Sequence, residues 1–429
     1  MTFNITSLPG TPLAINATFV DNLPLLLIGM IIVYGLVAKI FFKKFRIPDV
    51  LLLLSLGAVL SFFNFKVDLV YYEDMLNILL TFALIYIVFS GGLPIRIKAV
   101  FSTAKGALFS SLLNLFSITI VIAGISLIFF DLKFAIALGL LLCVMDGSII
   151  NSILDVVNFS KRAEAFIQIE SALVDVFVIV AIWLVHLESV IVSTYFQLIV
   201  NFLLLSTAIG VATGLLWGFF LKKAGKMQHV SLTTIALLLL VFVFSETFQA
   251  NGVIAVFAFA ITLGNVQTLR SLMYKEDSKS FGGMTKEQRT FMDDFAFLLR
   301  TLLFVFIGTL IDFNKPWYLA LGLLFAVLAL VIRSFVFKLI KHRDTPQEDI
   351  YMMEVMAAKG MTPVVMMALI KGSTEFNNTI IGAIFSSVLI GSILIFLIEK
   401  KKFTTITDIF KKKQKMMPFP AEIEPFERI

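Results

Sequence analysis

The chain consists of long apolar runs separated by short clusters of Lys, Arg, Asp, Asn, Gly and Pro. Thirteen runs can be marked, starting near Leu23, Val50, Met75, Gly106, Phe134, Ala165, Phe196, Val230, Gly252, Phe295, Trp317, Tyr351 and Thr379. Their lengths approach the ~20 residues that carry a helix across the hydrocarbon core, and none alternates over the ~10 residues of an outer-membrane barrel strand. In lipid the backbone has no water to bond with, so a run of this length must close its own hydrogen bonds as a helix. The pattern predicts an all-α polytopic membrane protein with about 13 transmembrane helices.

Composition agrees. Of 429 residues, 59% are hydrophobic, 45 are Phe and only 15% are charged, whereas a soluble domain carries about 25% charged residues. One globular core could not keep so apolar a chain in water. The 35 Lys and Arg exceed the 29 Asp and Glu by six, and their placement says what the excess is for. Lys43, Lys44 and Arg46; Arg96, Lys98 and Lys105; Lys161 and Arg162; Lys222, Lys223 and Lys226; Arg270, Lys275, Lys279, Lys286 and Arg289; Lys338, Lys341 and Arg343 all follow odd-numbered runs. With the C-terminal tail these make 27 of the 35, against Lys66, Lys133, Lys315 and Lys371 in the other loops. By the positive-inside rule the N-terminus is outside and the C-terminus cytoplasmic, in a multi-pass protein of the cell membrane. The bilayer, and no nucleic acid, is the partner that this charge implies.

Residues 1–22 have no basic stretch ahead of the first run and are expected to be an extracellular segment entering an uncleaved helix. The membrane domain is expected over 23–400. The short tail 401–429 is basic, and its Lys411, Lys412, Lys413 and Lys415 suit anionic lipid. A single Cys143 excludes a disulfide framework, and three scattered His offer no metal-ligand spacing. Neither an enzyme nor a resident cofactor is expected.

Ionisable residues inside a span are costly and need a partner or a task. Asp146 lies about 13 residues into the fifth run, which starts outside, and Asp175 about 11 residues into the sixth, which starts inside. At 1.5 Å per residue both fall near the midplane of a ~30 Å core, on consecutive antiparallel helices. Two acids at one depth, with no nucleophile or base beside them, describe a cation site; the plainer alternative is a pair of protonated acids that ties helices together. Ser171, one turn before Asp175, shares its face and can help strip water from a small cation. Glu170 points about 140° away, and Arg333 lies at its depth in the eleventh run, so a structural ion pair between them is expected. The plainer alternative for Arg333 is to snorkel to the cytosol.

The fifth and twelfth runs carry helix breakers in mid-span: Met145, Asp146, Gly147, Ser148, and Lys359, Gly360, Met361, Thr362, Pro363. Broken helices bring half-helix dipole ends and free carbonyls to the midplane, as many secondary transporters do around an ion. The two lie seven runs apart, as counterparts would if runs one to six and eight to thirteen were inverted repeats around a linking seventh. The two discontinuous helices should then cross.

At these residues the chain resembles the monovalent cation:proton antiporters of the sodium/proton exchanger type, over nearly its whole length from the Ile47, Pro48 turn to the last helix. Glu170, Ser171, Ala172, Leu173, Val174, Asp175 resembles the family's E-S-x-x-N-D, and Asp146 falls where the family has the Asp of T-D-P. Lys359 and Gly360 resemble an Arg-Gly opening, and Phe89 to Leu93 (FSGGL) resembles F-E-G-G-L. Each of these four motifs departs from the family's pattern: Val174 for Asn, Met145 and Gly147 around Asp146, Lys359 for Arg, and Ser90 for the acid.

The resemblance implies a homodimer with interface helices over about 23–93 and 230–312, core helices over about 106–187 and 317–398, and a linker helix over about 196–222. It implies an elevator-type exchange of Na⁺ or Li⁺ for H⁺, in which Asp175, Asp146 and Ser171 hold Na⁺ and Asp175 takes cation and proton by turns. With no second acid beside Asp175, and with Lys359 read as lying toward the cytoplasmic side, the exchange is expected to be electroneutral. K⁺/H⁺ exchange and a non-transporting sensor or scaffold are the alternatives that the four departures leave open.

Overall fold

The structure, a computed structural model, describes residues 17–45, 49–63, 73–93, 95, 97–154, 159–186, 192–224, 229–269, 286–340, 346–370 and 372–415. Among them are fifteen α-helices of eight or more residues and no strand. They are α1 (Ala17–Phe45), α2 (Asp49–Phe62), α3 (Glu73–Gly92), α4 (Ile97–Ser126), α5 (Leu132–Leu141), α6 (Gly147–Leu154), α7 (Lys161–His186) and α8 (Val192–Ala224). After these come α9 (Val230–Thr247), α10 (Gly252–Gly264), α11 (Lys286–Thr309), α12 (Pro316–Leu339), α13 (Gln347–Val355), α14 (Met361–Ile370) and α15 (Thr374–Lys415). These follow the apolar runs in order, with the fifth split into α5 and α6 and the twelfth into α13 and α14. Among the described residues six stretches are long and apolar enough to cross a membrane by length and composition: Lys105–Ser126, Lys161–Ile182, Phe202–Leu221, Val230–Thr247, Pro316–Leu339 and Thr374–Ile395. Large apolar side chains such as Phe62, Ile78, Ile128 and Leu240 stand exposed on the outside of the bundle. A surface of this kind belongs in lipid.

Lipid gives helices no hydrophobic reason to associate, so close backbone packing must hold them, and glycine permits it. Gly210, Gly214 and Gly218 recur one turn apart along α8 and face Ala255, Thr262 and Val266 on the α10 side; a Cβ on Gly210 would come within 2.2 Å of the Ala255 carbonyl oxygen. Gly57 of α2 and Gly308 of α11 meet backbone to backbone, and Gly322 of α12 and Gly382 of α15 make a like crossing.

Contacts divide the helices into two groups. In the first, α1, α2, α3, α9, α10 and α11 pack on one another, with α8 against α10. In the second, α4 packs on α5, α7 and α12; α12 packs on α15; and α6, α13 and α14 lie on α7 and α15 or between them. The groups touch where α14 crosses α3 and α11, and where α15 meets α2. At one end of the bundle the chain passes from the first to the second through residues 310–315. Ser61 of α2 donates to the Ile311 carbonyl at 2.7 Å. One residue on, Asn378 of α15 accepts from the Asp312 N–H at 3.0 Å and donates to the Asp312 carbonyl at 2.9 Å. Lys315, before α12, pairs with Glu375 at the start of α15.

Two sequence expectations shift here. Gly147 and Pro363 do not break their helices from inside but open the second halves: Gly147 is the first residue of α6 and Pro363 the third of α14. A proline in the first helical turn has no intrahelical N–H bond to lose. The interruptions fall just before them, over 142–146 and 356–360. Outside the described residues lie the N-terminal segment through residue 16, the Ile47, Pro48 turn and the tail beyond Lys415. Arg46, Lys66, Arg96, Lys226, Arg270, Lys275, Lys279, Lys341, Arg343 and Lys371 lie outside them too.

Candidate ion-binding site

The two interruptions meet. As α5 ends, Cys143 and Val144 make tight bonds back to Leu140 and Leu141, and the chain then leaves the helix. Asp146 donates its N–H to the Ala358 carbonyl at 3.0 Å, joining one break to the other. Its Oδ1 accepts the Ile149 N–H at 3.0 Å, an N-cap for α6 that satisfies one of the helix's orphan donors. Across the gap the Lys359 N–H is taken by the Ser387 hydroxyl at 3.0 Å. Gly360 lies directly on the Asp146 carboxylate, where an added Cβ would fall 1.7 Å from Oδ2. Only a residue without a side chain fits that crossing.

Asp175 faces this crossing from α7. Its Oδ1 is buried and has no hydrogen-bond partner; Asp146 is the acid that acts on it electrostatically, and Thr362 of α14 is its side-chain hydrogen-bonding neighbour. Ser171 donates to the Gln168 carbonyl at 3.0 Å, and its oxygen stands 3.6 Å from where a Cβ on Gly147 would be. The structure thus gathers Asp146, Gly147, Ser171, Asp175, Gly360 and Thr362 at one place. Met145 and Val174, the departures on either side, are both buried and apolar, at 1% and 0% exposure. Ser90 of α3 donates to the Ile87 carbonyl of its own helix at 2.9 Å.

Glu170 turns away from this cluster and meets Arg333 in a forked pair, Nη1 to Oε1 at 3.2 Å and Nη2 to Oε2 at 2.8 Å. Both residues are buried, at 0% and 2% exposure. Burying two charges costs several kcal/mol each unless their remaining hydrogen-bonding capacity is met. Here it is met. Ser110 donates to Glu170 Oε1 at 2.5 Å and Asn114 donates to the same oxygen at 3.0 Å. Arg333 Nε and Nη2 also reach the Met353 carbonyl at 3.3 and 3.1 Å, and its guanidinium stacks over Phe337 at 4.5 Å. Met353 lies in the last turn of α13, where carbonyls lack helical partners. The ion pair therefore caps the half-helix that leads into the second break.

Sequence reasoning did not single out Ser110, Asn114 or Thr362. Ser110 and Asn114 stand four apart in an apolar run, the spacing of one helix face, and that was the available signal. Lys359 was read as lying toward the cytoplasmic side, and its position differs: it is 1% exposed, within the second break and next to Gly360. The electrostatic neighbours of its ammonium are Cys143 and Arg333. Glu354 of α13 is also buried and accepts from the Ser334 hydroxyl at 2.8 Å.

A family model described as "Sodium/hydrogen exchanger, transmembrane" matches residues 30–401. The sodium proton antiporter MjNhaP1 from Methanocaldococcus jannaschii, in its structure at pH 8, shares 17% identity with the chain and superposes with a TM-score of 0.71. That alignment covers 86% of this chain and 94% of that one. A second structure of the same protein, from an electron-microscopy map, gives a TM-score of 0.70 at 16% identity over 88% and 97% of the two chains. At such identities the likeness is one of fold. No curated protein matches. The family match over residues 30–401, on a fold built around two interrupted helices, establishes that this multi-pass membrane chain belongs to the sodium/hydrogen exchanger family of cation:proton antiporters.

Proposed function

We propose that the protein exchanges Na⁺ or Li⁺ for H⁺, with Asp175 as the carboxylate that holds cation and proton by turns and with Asp146 and Ser171 as co-ligands. The observation that carries this reading is the buried, unpartnered Oδ1 of Asp175 facing a second acid at the crossing of two broken helices. A buried acceptor left without a partner is costly. A cation or a proton relieves it, and one site cannot hold both. Exchange follows because a bare carboxylate pair is too costly to carry through a dry barrier, whereas the occupied site is neutralised.

The exchange is proposed to be electroneutral. The Lys359 ammonium has Cys143 and Arg333 as its electrostatic neighbours, and in this reading the carboxylate cluster carries one cation or its charge equivalent in protons. For movement, the core group (α4 to α7 and α12 to α15) slides against the group formed by α1 to α3 and α9 to α11, with α8 as linker and a homodimer formed through the second of these groups. The N-terminus outside, the C-terminus inside and the cell membrane complete the proposal, on the distribution of Lys and Arg.

Purified protein in liposomes with an internal pH dye is expected to respond to external Na⁺ and Li⁺ more strongly than to K⁺. A potential-sensitive dye in the same vesicles should stay flat. Lowering the pH should weaken apparent cation affinity by up to about tenfold per unit, because each cation displaces one proton. A response to K⁺ alone would replace the cation in this reading, and silence to all three ions from folded protein would reject exchange.

Two glycines give a further check. Gly360→Ala forces a methyl group into the Asp146 carboxylate and is expected to cost ~100-fold in exchange rate, the penalty of misplacing a reacting group by about 1 Å. Gly91→Ala, in the FSGGL segment, places a Cβ with nothing within 4 Å and should leave the rate unchanged.

A further inference from the structure

We infer that Thr362 is the neutral ligand that completes the cation site, in place of the side-chain oxygen that Val174 does not provide. This rests on the reading of Asp175 as the ion carboxylate. Small hard cations give up their water only for several oxygen ligands. Of the candidate oxygens, Asp146 Oδ1 is occupied by the Ile149 N–H. Ser171 has given its hydrogen to Gln168 and keeps its lone pairs. The residue next to Asp175 on α7 is Val174, fully buried and without an oxygen to offer. From α7 and α6 alone the set is short of neutral oxygens.

Thr362 makes up the difference from the other side. It stands in the first turn of α14, 3% exposed, as a hydrogen-bonding neighbour of the Asp175 carboxylate. Two residues earlier, Gly360 lies on the carboxylate of Asp146. The segment 360–362 therefore spans both acids, and its one side-chain oxygen is placed at the acid whose Oδ1 lacks a partner. A hydroxyl is suited to both halves of a cycle: it donates its hydrogen to the carboxylate when the site is empty. It turns a lone pair to the metal when a cation enters. The ligand comes from α14, so cation binding draws α7 and α14 together, which the Asn of the family pattern, sited on the same helix as the key Asp, would not do.

The test is binding of ²²Na⁺ to purified, monodisperse protein, with Li⁺ as competitor, beside exchange in liposomes. Thr362→Val keeps the branched shape and removes the hydroxyl. It is expected to weaken Na⁺ binding about tenfold, the worth of one contact to a charged group, and to raise the KM for Na⁺ while the rate at saturation is largely kept. Thr362→Ser should stay within about twofold of the wild type, and adding Val174→Asn to Thr362→Val should recover part of the loss. If Thr362→Val does not fold, Thr362→Ala removes the same oxygen and decides the matter. Wild-type binding in Thr362→Val, with Asp175→Asn binding none, would overturn the role of Thr362 and leave the ion carboxylate standing. Absence of ²²Na⁺ binding to the wild type would overturn both.

Discussion

Asp175→Asn is expected to bring cation-driven proton movement down to the level of protein-free liposomes while the protein remains folded. The substitution keeps the size of the side chain and removes the two properties that exchange needs. An amide takes up no proton near neutral pH, and it offers a cation one neutral oxygen in place of a charged pair. Stability should change little or rise, since the carboxylate oxygen that loses its charge is one that the fold leaves without a partner. In the same preparation ²²Na⁺ binding should vanish, and the melting temperature should be equal to or above that of the wild type. Exchange at the wild-type rate in Asp175→Asn would show that the transported ion binds elsewhere.

The second large effect is expected at Glu170, and there it falls on the fold. Glu170→Gln removes the counter-charge of Arg333 and leaves a guanidinium buried among Phe337, Met353 and apolar helix faces. Breaking one partner of a buried pair costs about 3–5 kcal/mol, which is a large part of the stability of a single domain. The loss extends along α13, because the same guanidinium holds the Met353 carbonyl. Most of the protein should therefore be lost to aggregation on extraction, and what survives should melt at a lower temperature. Replacing both partners, as in Glu170→Gln with Arg333→Met, should recover part of the folded yield, since no lone charge then remains. If Glu170→Gln instead purifies with a normal melting profile and fails only in exchange, the pair belongs to the transport site.

The helical order was legible in the sequence because each apolar run reports its own length and each loop its own charge. The break positions were legible less sharply. Gly147, Gly360 and Pro363 mark that a helix is interrupted, but in a membrane either end of a half-helix can carry them; Gly147 and Pro363 open the second halves, while Gly360 lies in the break itself. Glu170 and Arg333 were matched by depth alone, whereas Ser110 and Asn114 needed the crossing of α4 with α7, which no local pattern encodes. Thr362 was hidden for a like reason. It follows a Lys-Gly pair and precedes a Pro, so it reads as part of the break, and its position on Asp175 arises only when two distant runs cross. Lys359 was misplaced because depth was counted along an unbroken helix. Across an extended stretch the chain rises more than twice as fast per residue as in a helix.

One peptide bond acquires a particular burden from the two anchors at that end of the bundle where the chain passes through residues 310–315. Ile311 is fastened to α2 through Ser61, and Asp312, its immediate successor, is fastened to α15 through both of its backbone groups. Neighbouring Cα atoms are about 3.8 Å apart whatever the conformation, so there is no slack between the two anchors. If α15 travels past α2 in the transport cycle, one fastening has to release before the journey can start and form again after it. The Ser61 hydroxyl, with a single bond, is the weaker latch, and the joint between Ile311 and Asp312 would act as the catch that sets how often the gate is free to move.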